Sequence, residues 1–205
     1  DINFLQMMLG QTSVVENVNQ ATLYIPKNQK LDSFSCRMGD GYLNINTLDC
    51  QNMSLSDDYG DITLKNLDIS KGTVTSSDGD ISIKDSLLRN TSVQADYGDI
   101  NIQNTSCNNG ELKLSDGNLT TAKASFSGQN TIDSNLGDII LGISADNLKQ
   151  LSINAATSLG DLKIPESLKG QLTGSDDSHA YSRTTDSKNL LNVTSSDGDI
   201  TINEK

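Results

Sequence analysis

The chain has 205 residues, no Trp, 4% aromatic residues and a formal net charge of −12, so aliphatic and Cys side chains must build most of any core. Nucleic-acid partners are not expected of so acidic a chain, because phosphate affinity rests on clustered Lys and Arg, and anionic membrane surfaces are disfavoured for the same reason. No run of about 18 apolar residues occurs, so no helical membrane span is expected.

In chain order, residues 1–31 come first. They contain "SVVENVNQATLYIP", which reads as two edge strands leading to Pro26 and capping the first rung of a repeat. The chain begins at Asp1 rather than Met, which suggests a processed or cut fragment whose signal or membrane anchor would lie upstream. "FLQMMLG" (Phe4 to Gly10) is too short to be that anchor.

Residues 32–205 carry the repeat. "SSDGDISI" (Ser76–Ile83) returns as "SSDGDITI" (Ser195–Ile202), and its glycine has counterparts at Gly41, Gly60, Gly79, Gly98, Gly117, Gly137, Gly160 and Gly198. The first four intervals are 19 residues, the next two 20 and 23, and the last 38, read as two periods with one glycine missing. Two and four positions after each glycine stand residues such as Ile62/Leu64, Ile81/Ile83 and Ile100/Ile102, which period-two alternation places on one strand face. A second column precedes the glycine by five positions (Cys36, Leu55, Val74, Val93 and onward). A third stands nine positions after it (Cys50, Ile69, Leu88, Cys107, Phe126).

Three inward stretches per 19 residues predict an all-β, single-stranded parallel β-helix. This β-solenoid would have about 19 residues per rung and a roughly triangular section, with its handedness unassigned. A β-sandwich would also show short strands and regular turns, but it would not require one turn phrase at constant spacing. Residues 165–189, "PESLKGQLTGSDDSHAYSRTTDSKN", lack the apolar columns and read as an irregular, exposed excursion. The final "DITIN" reads as the open edge of an incomplete last rung.

The repeated S-x-G-D-I-x-I rungs, "YIPKN" (Tyr24 to Asn28) and the closing "NVTSSDGDITI" resemble a bacterial domain-of-unknown-function family described as adhesins. The resemblance runs from about residue 20 to 205 and implies a β-solenoid in a cell-envelope or extracellular setting, often behind a membrane anchor. It carries no active-site residues with it.

Acidic residues supply the candidate chemistry. Asp61, Asp80 and Asp99 each follow a reference glycine, as do Asp138, Asp161 and Asp199. Stacked rungs would line them along one edge, where carboxylates about 4.8 Å apart repel by about 0.9 kcal/mol in bulk water. A calcium ladder on Asp61, Asp80 and Asp99 would relieve this; so would bonding to turn N–H groups. No other cofactor is expected. Position −1 alternates Asp40, Tyr59, Asp78, Tyr97, Asp116. Cys50 and Cys107, one column but three periods apart, should sit about 14 Å from each other, beyond disulfide reach. His179, the one histidine, reads as an exposed loop residue.

These readings point to a non-catalytic bacterial cell-envelope module, a rigid coil presenting a surface to an unknown protein or cell-surface partner. The first alternative is a scaffold that self-associates end to end by strand pairing. The second is a carbohydrate-active β-helix enzyme, against which the acidic residues recur at every turn instead of gathering in one cleft.

Overall fold

The computed structural model describes residues 29–175 and 177–205. The capping strands expected over residues 1–31 therefore lie outside the described residues, as does "YIPKN", save for residues 29–31. Leu31 already pairs with Cys50, so the first described rung begins at Lys30.

Eighteen strands and one short helix occur among the described residues. They are β1 (Lys30–Met38), β2 (Leu43–Tyr59), β3 (Ile62–Asp78), β4 (Ile81–Lys84), β5 (Leu87–Arg89), β6 (Thr91–Tyr97), β7 (Ile100–Gln103), β8 (Ser106–Asn108) and β9 (Glu111–Asp116). After these come β10 (Leu119–Ser127), β11 (Gln129–Leu136), β12 (Ile139–Ile143), α1 (Ala145–Gln150), β13 (Ser152–Leu159), β14 (Leu162–Lys163), β15 (Gln171–Ser175), β16 (Ser178–Arg183), β17 (Leu190–Asp197) and β18 (Ile200–Glu204), counted among the described residues. The architecture is a parallel β-solenoid of roughly 19 residues per turn.

Alternation decides which side chains enter the coil. In β4, Ile81 and Ile83 are buried while Ser82 and Lys84 face outward, and the pairing Ile62↔Ile81↔Ile100 stacks like on like. Each buried aliphatic side chain contributes about 1.5–3 kcal/mol, realised only when a neighbouring rung covers it. Packing inside is close: the cavity beside Leu88, Cys107 and Phe126 measures about 10 Å³, no more than one water needs. Cys36, Cys50 and Cys107 are all free thiols.

The face after each glycine is built from β2, β3, β4, β7, β10, β12, β18 and β14, in that spatial order. The face before each glycine runs β1, β2, β3, β6, β9, β11, β17, β13, then β16 and β15. The remaining face ends at β10. There Asn147 of α1 imitates a strand, accepting the N–H of Phe126 and donating to its carbonyl, both at 2.8 Å.

Spatial order corrects two expectations. The last strands of the sequence are not at an edge: Val193 pairs with Ile132 on one side and Ala155 on the other, and Ile200 with Ile139 and Leu162. Nor does the 38-residue interval hide a missing glycine. The chain completes the rung at Gly160, pairs β15 with β16 as an antiparallel hairpin, and returns to insert β17 and β18 one layer inward. The reason is burial and pairing together: Val193, Ile200 and Ile202 are at most 1% exposed, and strands paired on both sides leave no inner backbone group unsatisfied.

The hairpin also shows what residues 165–189 do. β16 runs antiparallel to β13 and turns Tyr181 onto the core. Arg183 donates to the carbonyls of Leu148 and Lys149 at 2.8 and 3.0 Å, satisfying orphan acceptors at the end of α1. His179 is partly buried rather than exposed, its Nδ1 3.0 Å from the carbonyl oxygen of Gly160.

Candidate functional site

The glycine corner runs unbroken through the described coil. All eight reference glycines have φ between +111° and +151°, a region L side chains rarely adopt. Space forbids a side chain as well: a Cβ on Gly79 would lie 2.1 Å from the carbonyl oxygen of Gly60, and one on Gly98 2.4 Å from that of Gly79. At the other end, Gly137 would meet Gly117, Gly198 would meet Gly137, and Gly160 would meet Gly198. The column thus obeys spatial order, with Gly198 ahead of Gly160.

Beside it runs a polar ladder. Asp61 Oδ1 accepts the backbone N–H of Asp80, Asp80 Oδ1 that of Asp99, and Asp99 Oδ1 that of Asn118, at 2.8–2.9 Å. The series continues from Asn118 to Asp138, Asp138 to Asp199 and Asp199 to Asp161. One oxygen of each side chain is therefore engaged with the next rung, and this partner offsets the repulsion along the column. Among the described residues no group of three or more His, Cys, Asp or Glu side chains converges as a metal site would require. At the end of the series Lys163 bonds Asp199 at 2.7 Å. This hydrogen bond holds the Asp199 carboxyl below, and the Lys163 ammonium above, their usual ranges.

Position −1 acquires a new regularity once spatial order is used. The column reads Asp40, Tyr59, Asp78, Tyr97, Asp116, Leu136, Asp197, Leu159. Every member is exposed, with Tyr59 and Tyr97 at 63% and 64%, Leu136 at 48% and Leu159 at 53%. Asp197 falls between two leucines that are adjacent copies in the sequence, and so keeps acid and apolar residues alternating to the end. Tyr42 stands beside this column, and Asp40, Tyr42, Tyr59 and Asp78 line a shallow depression.

Two further corners escaped sequence reasoning. Thr47, Asn66, Asp85, Asn104 and Lys123, 19 residues apart, all have φ near +50° to +67°, and Asn90 and Asn109 do likewise before Gly128. Their signal was Asn66, Asp85 and Asn104 in one corner and Asn90 and Asn109 in the other, residue types that tolerate this conformation, at the repeat period. Asp57 was missed too. It is 1% exposed, and neither carboxyl oxygen has a hydrogen-bond partner. Burial pushes its pKa up, and the nearby Asp58 and Asp40 carboxylates add to the shift. Elsewhere in its column stand Ser76, Ala95, Leu114, Ser134, Ser195 and Thr157. Cys107, wholly enclosed, is pushed up to about 12 and is not poised as a nucleophile.

A family model described as Toastrack DUF4097 matches residues 2–203. The chain belongs to the Toastrack DUF4097 family. No curated protein and no solved structure matches it. The Toastrack chain is thus assigned to a domain of unknown function with a β-solenoid fold. Among the described residues no helix is long and apolar enough to cross a membrane.

Proposed function

We propose that this Toastrack chain is a non-catalytic module of the bacterial cell envelope, a rigid coil that holds a patterned surface toward a partner protein or the cell surface. The observation that carries this reading is the glycine corner. Backbone stacking and the side-chain ladder lock its geometry, while the adjoining column presents exposed acidic, aromatic and aliphatic side chains at a fixed repeat. A rigid scaffold lowers the ordering cost of binding, and the exposed row offers a partner apolar and acidic contacts at a fixed spacing. Among the described residues Asp61, Asp80, Asp99, Asp138 and Asp199 each accept a backbone N–H of the neighbouring rung and are spread along the coil instead of facing each other across one cleft, which favours binding over hydrolysis.

The test is capture from fractionated bacterial extract on the immobilised chain, with excess free chain as competitor. Saturable, competable retention of an envelope component is the expected result. Retention of nothing competable, or release of sugar fragments from cell-wall polysaccharide, would count against the reading.

Self-association is a second reading. Among the described residues β15 pairs with β16 alone, leaving its other edge unpaired, with Leu172 58% exposed. Light scattering over a concentration series tests it; a strict monomer at high concentration removes it.

A further inference from the structure

The alternating ridge at position −1 has a repeat of two rungs, about 9.6 Å at the spacing of hydrogen-bonded strands. A polyproline II helix repeats every three residues, about 9.3 Å. Over the three repeats from Tyr59 to Leu159 the mismatch accumulates to only about 1 Å, within the reach of side-chain rotation. We infer that this ridge is a docking surface for a proline-rich peptide in the polyproline II conformation with a Lys or Arg at every third position. The inference deepens the reading of the chain as a surface-presenting module and rests on it.

Chemistry specifies the occupant on both counts. Tyr59, Tyr97, Leu136 and Leu159 offer exposed apolar contacts at the ligand's own period, suited to proline rings. Asp78, Asp116 and Asp197 lie between them at the same repeat, so each turn of the ligand places one cation against one carboxylate. The tyrosine rings add cation–π attraction for the same cations. A polyproline II chain keeps its shape unbound and loses little entropy on docking. Charge complementarity favours this ligand over a neutral polysaccharide, and the two leucines, lacking flat rings, are poor platforms for sugars. The span from Tyr59 to Leu159, about 29 Å, corresponds to about nine peptide residues.

Fluorescence anisotropy with labelled (Lys-Pro-Pro)5 tests the proposal on the intact chain, with (Lys-Gly-Gly)5 as the flexible, equally charged control. Binding of the proline peptide should exceed that of the glycine peptide by about ten-fold or more. It should weaken on adding salt, and fall by about ten-fold in Tyr59→Ala/Tyr97→Ala and in Asp78→Asn/Asp116→Asn. Gln150→Ala, exposed on α1 at the end of the remaining face, should leave it unchanged. Circular dichroism establishes that each variant is folded, and Tyr59→Phe/Tyr97→Phe, which keeps the rings, should retain binding. Equal binding of both peptides, undiminished binding by the ridge variants, or capture of a β-linked polysaccharide in place of the peptide overturns the inference. If the extract experiment still finds a competable envelope partner that the ridge variants retain, the module reading stands and the ridge assignment alone fails.

Discussion

Asp138 Oδ1 accepts the backbone N–H of Asp199 at 2.9 Å across 61 residues of sequence. With the bond from Asp161 N to Asp199 Oδ1 at 2.8 Å, it places the chain's last rung between two earlier ones. The C-terminal strands β17 and β18 are therefore inner strands of the coil, held on both sides by rungs that precede them in sequence.

Residues at that closure should be costly to trim. Ile200 is fully buried between Ile139 and Leu162, so Ile200→Ala is expected to lower stability by about 2–5 kcal/mol in denaturant titration. Ile140→Ala, at a position 41% exposed on the neighbouring strand, should cost under about 1 kcal/mol.

The glycine column predicts a sharp positional contrast. Gly98→Ala forces a Cβ against the Gly79 carbonyl at a φ of +141° and should destabilise by more than about 2 kcal/mol. Gly39→Ala meets nothing within 4 Å and should be near neutral, as thermal melts of the pair will register.

The ladder predicts that oxygen, not charge, matters at Asp99. Asparagine already does the same work at Asn118, whose Oδ1 bonds the Asp138 N–H. Asp99→Asn should be at least as stable as the parent, more so at low salt where repulsion from Asp80 is least screened, whereas Asp99→Ala should lose about 1 kcal/mol. If calcium bridges the ladder, it should raise the parent's Tm over a chelator control and do so less in Asp99→Asn.

Asp57 predicts a pH dependence of opposite sign to that of a paired carboxylate. Its folded pKa is raised above the unfolded value, so its contribution to stability is fully present below the unfolded pKa and declines as pH rises through the folded one. Asp57→Ser, which installs the residue found at Ser76 and Ser195, should raise Tm at pH 7. The advantage should shrink at pH 4, and melts at both values check it.

Much of the fold is legible in the residues because the repeat is short-ranged. Gly60, Gly79 and Gly98 recur every 19 residues beside alternating apolar pairs, and that pattern alone specifies stacked parallel rungs, whose members pair with their nearest copies. The hairpin was not legible, since Leu172 and Tyr181 stand too far apart to reveal an alternating pattern, and Asp57 resembled every other turn acid. The acid–apolar ridge was legible only as far as Asp116. Beyond it, sequence order brings Leu136 and Leu159 together and the alternation dissolves.

By itself, then, the amino-acid sequence determined the rung: its length, its three inward faces, its glycine corner, and the family to which that unit belongs. Tertiary structure decided the order of the rungs, the partner of each aspartate and the continuity of the exposed ridge. The physical reason is that nearly equivalent rungs present nearly equivalent edges, so local pattern cannot choose among them. Only the hairpin that covers β13, and the return of residues 190–204 beneath it, place Gly198 between Gly137 and Gly160.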